Sequence, residues 1–193
     1  MNLNKLNKEL GTSGHIGIGK TKKGQVVITN GYVLLELSSK QVEKIKNSKL
    51  VNNRIKKVFE VAIEELLQKI PNNSIWVGRS DIDTDGCKYK KQSYDALLES
   101  SSGRVDSDSN LYTIEQVESK RYITYDNLEV VCFNNNGVDV YVDSEKWDFI
   151  KGCGVDGLRL GGAFQPVVLY HEEAFVGLVM GMRIEPNSIK KEL

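Results

Sequence analysis

Residues 14–21, Gly-His-Ile-Gly-Ile-Gly-Lys-Thr, carry the spacing G-x-x-x-x-G-K-[ST] of loops whose backbone amides cradle phosphates while the lysine reaches the β/γ-phosphates. That chemistry needs a buried strand before the loop and a helix N-terminus after it. Here the preceding ten residues are patterned as a helix, and the following Lys22-Lys23-Gly24 and VVIT read as a turn and a strand. The glycines are therefore expected to serve a hairpin, and a nucleotide-binding enzyme built on this loop is the third-ranked reading. Asp81, Asp83, Asp85 and Gly86 reproduce the opening of a calcium loop, in which alternate carboxylates converge on the ion. The twelfth position, which should supply a bidentate Glu, is Gln92, and the eighth is Lys88, so an acidic turn is expected and no metal. His15 and His171 are the only histidines, too few for a multi-histidine centre. Cys87, Cys132 and Cys153 form no C-x-x-C pair, Cys153 sits in a Gly-Cys-Gly turn, and no G-x-S-x-G elbow occurs. No catalytic constellation emerges, and neither an enzyme nor a cofactor is expected.

The elements that would position these residues follow from periodicity. Leu3, Leu6 and Leu10 predict a short N-terminal helix stopped by Gly11. HIGIGK and GQVVITNGYVLLEL predict antiparallel strands. Val51, Ile55, Val58, Phe59, Ala62, Ile63, Leu66, Leu67 and Ile70 recur at steps of three and four and predict a helix closed by Pro71. Ser38 and Ser39 can cap a shorter helix before it, with Asn52-Asn53 marking a break between the two or a bend in one long helix. SIWVGRS and CKYKKQ predict strands, and LESSSGRVDSDSN a surface loop. The last third reads as strands LYTIEQV, RYITYD, LEVVCFN, GVDVYVD, LRLGG, PVVLYH and AFVGLVMGMRI, with a helix SEKWDFIKG capped by Asp143 or Ser144. Asn134 to Gly137 and His171-Glu172-Glu173 are turn signals. The fold class expected is α+β, with antiparallel sheets and a few helices packed on one face. One domain spans residues 1–193, with pseudo-repeat halves near 1–100 and 101–184 and a tail at 185–193.

The composition is that of a globular protein: 193 residues, 40% hydrophobic, 27% charged, 26 basic and 26 acidic residues. The neutral total hides segregation. Residues 40–57 hold Lys40, Lys44, Lys46, Lys49, Arg54, Lys56 and Lys57 against Glu43 alone, while 81–118 carries nine acids and four bases. A basic run of this kind is either a solvated helix face or a surface for phosphates. With three scattered cysteines, no apolar leader and no run of about 20 apolar residues, a cytoplasmic protein without membrane contact is expected.

Two segments carry a more specific signal. From Val140 to Ile184 a strand ends in Asp143, SEKWDFIKG follows, then DGLRLGG and QPVVLYHEEAFVGLVMGMRI. This order resembles the end of the bacterial DNA polymerase sliding clamp, the β clamp, including small single-domain versions in phages and mobile elements; the family closes on Met-Pro-Met-Arg-Leu. VITNGYVLLEL, residues 27–37, stands where clamps carry an apolar strand and Thr-Asp-Gly-His-Arg-Leu. Asn30 replaces Asp, Tyr32 replaces His, Val33 replaces Arg and Gly181 replaces Pro.

The resemblance implies a clamp-like architecture and a hydrophobic groove receiving short peptides of a DNA polymerase or another DNA-handling protein. Carried over by position, it implies groove roles for Thr29, Gly31, Tyr32 and Leu34, and for Val179, Met180, Met182, Arg183 and Ile184. Adaptable methionines suit such a groove. It also implies a basic lining that holds double-stranded DNA without base readout, with Lys5, Lys8, Lys44, Lys46, Lys49, Arg54, Lys56 and Lys57 as the DNA-facing candidates. Family rings contain six such domains, so this chain would act as a homo-oligomer. The expected function is a non-catalytic processivity or docking factor; the alternative is a monomeric protein-binding module that does not encircle DNA.

Overall fold

The computed structural model describes residues 5, 9–10, 14–79, 89–102, 110–135 and 137–193. The Asp81–Asp85 motif, Lys8, Cys87, Leu3, Leu6, Gly11 and the loop residues 103–109 lie outside them. The fold is α+β with antiparallel sheets, and the chain divides into two compact units, Met1–Glu99 and Ser100–Leu193.

In the first unit the strands β1 (His15–Lys20), β2 (Val26–Thr29), β3 (Val33–Glu36), β4 (Ser74–Arg79) and β5 (Tyr89–Ser93) lie in the order β5-β4-β1-β2-β3. β1 pairs with β2 on one side and β4 on the other, both antiparallel. Between β3 and β4 run three helices, α1 (Ser39–Lys46), α2 (Lys49–Phe59) and α3 (Ile63–Lys69). The α2 face carrying Val51, Ile55, Val58 and Phe59 is buried, and the helix packs on β1 and β4. Burying four such side chains contributes several kcal/mol, at ~1.5–3 kcal/mol each, and this fixes which α2 residues face outward.

The expected helix through Ile70 is in fact two. α2 ends at Glu60, which adopts φ 63° and donates its N–H to Lys56 O. An αL cap at a residue other than Gly or Asn leaves no sequence signal. The joint between α1 and α2 falls at Asn47–Ser48 rather than at Asn52-Asn53. Ser48 Oγ accepts from the Val51 N–H, and Asn52 Nδ2 donates back to the carbonyls of Lys46 (2.7 Å), Ser48 (2.8 Å) and Ile45 (3.3 Å). Asn52 thus ties the two helices together. After β5, α4 (Tyr94–Ser102) takes residues 98–102 out of the expected loop. The Tyr94 hydroxyl donates to Glu36 Oε1 at 2.9 Å, and burial pushes the Glu36 carboxyl above its usual range.

In the second unit β6 (Tyr112–Thr113) is followed by α5 (Ile114–Val117), correcting the strand expected over LYTIEQV. Gln116 Oε1 accepts from the Thr113 N–H at 2.9 Å, a T-x-x-Q capping arrangement that opens a helical turn among β-formers. β7 (Glu118–Thr124), β8 (Glu129–Asn135) and β9 (Val138–Asp143) follow, then α6 (Ser144–Lys151). Asp143 caps α6 by accepting from the Lys146 N–H, as expected, and Gly152 ends it. Trp147 of α6 packs edge-on against Phe133 at 4.8 Å. Arg121 Nη2 donates to Asp148 Oδ1 at 2.7 Å, and this hydrogen bond holds the Asp148 carboxyl below its usual range. β10 (Gly157–Arg159), β11 (Val167–His171) and β12 (Ala174–Val179) pair antiparallel, with β6 beside β10.

Residues 185–193 are not a loose tail. A 3-10 turn, Pro186–Ser188, leads into β13 (Ile189–Glu192), which joins β7 to give the order β13-β7-β8-β9.

Candidate functional site

The phosphate-loop pattern lies in β1, where Gly17, Gly19 and Lys20 are register partners of both β2 and β4. A strand flanked on both sides spends its amides on the ladder. Thr21 is likewise committed to the turn: its Oγ1 accepts from the Gln25 N–H and its carbonyl from the Gly24 and Asn73 N–H groups. This stretch therefore offers no phosphate cradle. Cys132 is buried, and Cys153 Sγ donates to Phe149 O at 3.4 Å. No group of three or more potential metal-ligating His, Cys, Asp or Glu side chains occurs among the described residues.

The basic segment divides by geometry. On α2, Lys49, Asn53, Lys56 and Lys57 are exposed, a stripe opposite the buried Val51/Ile55/Val58 face, with Leu50 60% exposed beside it. Arg54 is half-buried at the flank rather than on the stripe. On α1, Lys40 and Lys44 are exposed, whereas Lys46 Nζ donates to Glu43 Oε1 at 2.9 Å and that bond raises its pKa. The Lys46 charge is thus offset locally by that of Glu43. Lys5 is exposed in the N-terminal helix. Lys56 and Lys57 also fall in the last turn of α2, where the helix dipole favours cations.

The expected groove residues fall into two sets, one in each unit. In the first, Thr29 and Leu34 are buried, so they support the β2–β3 turn rather than line an open surface. Thr29 Oγ1 accepts from the Gly31 N–H at 3.0 Å, and Gly31 takes φ 88°, which favours glycine. At the tip Tyr32 is 55% exposed.

In the second unit β12 stops at Val179, which is fully buried, so the strand expected to run to Ile184 ends five residues early. Met182 turns to the other sheet: its N–H donates to Tyr141 O at 2.7 Å. Met182 and Ile184 pack on a cluster of Val130, Cys132 and Tyr141, together with Tyr122, Leu128 and Ile189. These two side chains are partly buried core. Met180 is 39% exposed, and the Arg183 guanidinium lies 5.6 Å from the ring of Phe164, itself 58% exposed. Phe164 was not among the residues read from sequence. A lone aromatic in a Gly-Gly-Ala-Phe-Gln-Pro turn has no periodicity to mark it.

Gly181, where the clamps have Pro, is explained by close approach. A Cβ there would lie 2.5 Å from Gln165 O, within a turn closed by Gln165 N–H to Gly162 O and Gly162 N–H to Gln165 Oε1. No helix of the described residues is long and apolar enough to cross a membrane. The chain matches no protein-family profile, no curated protein and no solved structure.

Proposed function

We propose that the chain is a non-catalytic, clamp-like DNA tether that docks partner proteins. The observation that carries this reading is the α2 stripe of Lys49, Asn53, Lys56 and Lys57, held outward because the opposite face is sealed against β1 and β4. Three cations and an amide carried on one helix face, with no base-reading demand, suit the phosphate backbone of a duplex. As in the clamps it resembles, several copies would share the encirclement of DNA. Of the expected DNA-facing set, Lys46 is paired with an acid, Glu43, so the reading leans on the α2 lysines instead.

The test is fluorescence anisotropy on a labelled duplex across a salt series. Lys49→Glu, Lys56→Glu and Lys57→Glu together should weaken binding at low salt and reduce the magnitude of the slope of log K against log[salt] by about three, near 0.9 per phosphate contact. Wild-type protein that ignores duplex DNA at low salt, alone or with its natural partners, removes the tethering claim.

A second reading keeps the docking role and drops DNA. It is favoured by the two exposed aromatic tips, Tyr32 in the first unit and Phe164 beside Arg183 in the second. Aromatic side chains are enriched at protein interfaces, and tyrosine is prominent among their hot spots.

A further inference from the structure

β5 stands at the end of the first unit's strand order and, among the described residues, pairs on one side only, with β4. Its five register pairs run unbroken from Ser93 opposite Ser74 to Tyr89 opposite Gly78. In an antiparallel ladder alternate residues spend their N–H and C=O on the neighbour and the others turn theirs outward, so the far side of β5 presents a row of backbone groups. Lys90, Lys91, Gln92 and Ser93 alternate between the two faces of the sheet and are all exposed, so neither face is covered there. The edges of the second unit are blunted in ways that β5 is not. β6 is two residues long, β13 carries a register shift between Ile189 and Lys191, and β9 is met by the Met182 N–H at the Tyr141 carbonyl.

Charge says which strand fits. On one face the Lys91 ammonium lies 4.0 Å from the centre of the Trp76 ring, on which Tyr89 stacks at 5.5 Å. Lys90 projects from the other face. A strand added beside β5 therefore sets two consecutive residues opposite Lys90 and Lys91, one on each face, and a third opposite Tyr89. A second copy of β5, antiparallel and in full register, would place Lys91 against Lys91, and like charges directly opposite destabilise a pair. Duplex phosphates would satisfy the lysines but not the outward carbonyls, which need N–H donors in strand register. Two adjacent acids meet both lysines, and an apolar neighbour meets the Tyr89–Trp76 stack.

We propose that the free edge of β5 docks an extended segment of a protein partner by strand addition, and that this segment carries two adjacent acidic residues beside an apolar one. Main-chain bonds to β5 hold the segment, and Lys90 and Lys91 select its acids. The site uses neither the α2 stripe nor the aromatic tips, so it goes beyond the reading above and each can fail without the other.

The probe comes from a displayed library of peptides with Thr-Val flanks and a randomised centre, selected on the full chain. Adjacent Asp or Glu pairs beside an apolar residue should dominate the selected set. The tightest such peptide, synthesised and labelled, should slow hydrogen exchange at outward-facing amides within Tyr89–Ser93, while the Ile55 amide of α2 exchanges as before. Lys90→Glu with Lys91→Glu should weaken it about tenfold, the scale of two cross-strand charge pairs reversed. The same peptide with its acids changed to lysine should bind that double variant and not the wild type. Lys90→Glu alone leaves Lys91 on Trp76 and should weaken the acidic peptide about threefold, so it decides where the double variant fails to fold. Selected peptides without an acidic pair, acidic peptides that bind Lys90→Glu as tightly as wild type, or binding with no slowed exchange in β5 overturn the inference. A library that yields no binder also overturns it, as does duplex binding that falls with Lys90→Glu as far as peptide binding does.

Discussion

Replacing Gly181 by alanine tests whether the departure from the clamp pattern is a packing requirement. The added Cβ would sit 2.5 Å from Gln165 O and 3.5 Å from the carbonyl carbons of Gln165 and Phe164. Ordinary contact begins near 3.4 Å, so the Gln165 carbonyl or the 181 backbone must yield by nearly an ångström. The Gln165 turn resists because two hydrogen bonds close it, Gly162 N–H to Gln165 Oε1 at 2.8 Å and Gln165 N–H to Gly162 O at 2.9 Å. Insertion into such a site costs about 1–3 kcal/mol.

The two tryptophans make the measurement local. Trp76 lies in the first unit and Trp147, fully buried, in the second, so a Trp76→Phe background leaves fluorescence reporting the second unit alone. With a urea m-value of ~1–2 kcal/mol/M, the midpoint for Gly181→Ala should fall by about 1 M. The Phe164 ring should also lose its place beside Arg183, visible in aromatic NMR shifts. A midpoint within 0.2 M of the parent, a rough bound on reproducibility, would refute the packing argument.

Two further predictions concern pH and have opposite signs. Burial raises the Glu36 carboxyl in the folded state, so its stabilising contribution is present at low pH and lost as pH rises through the folded value. Glu36→Gln, which still accepts from the Tyr94 hydroxyl, should raise the melting temperature at pH 7 and make no difference below about pH 4, under the reference carboxyl value. For Asp148, held low first by its hydrogen bond from Arg121, the contribution is present above the unfolded value and disappears as pH falls through the folded one. Asp148→Asn should therefore cost about 0.5–1 kcal/mol at pH 7, discounted because the side chain is 38% exposed, and progressively less on acidification, read by denaturation midpoints along a pH series.

Much of the scaffold was legible because buried faces impose period. Val51, Ile55, Val58 and Phe59 announce α2, and Asp143 with Gly152 brackets α6. What escaped was set by single contacts that leave no period. The helix break rests on Glu60 in a left-handed conformation, the α1–α2 joint on one amide reaching back to three carbonyls, and α5 on Gln116 overruling its β-forming neighbours. β13 reads IKKE, with no alternation to expose it. The candidate groove suffered differently. The segment Val179 to Ile184 says which of its residues are apolar but not which sheet each will face, and Met182 bonds to Tyr141 of the other sheet. The exposed Phe164 became visible only once the Gln165 turn was seen to hold it out.

The Asn52 joint has a mechanical consequence. The one side chain bridges carbonyls at the end of α1 and at the cap of α2, and it gives the Lys46 carbonyl at the end of α1 a donor from within α2. α1 and α2 thus form a bracket rather than two hinged rods. The lysines of both helices ride on it like the teeth of one comb, at intervals set by the two helix backbones. A stiff ligand with matching charge spacing meets that comb without ordering it, whereas a flexible one must itself surrender the conformational freedom.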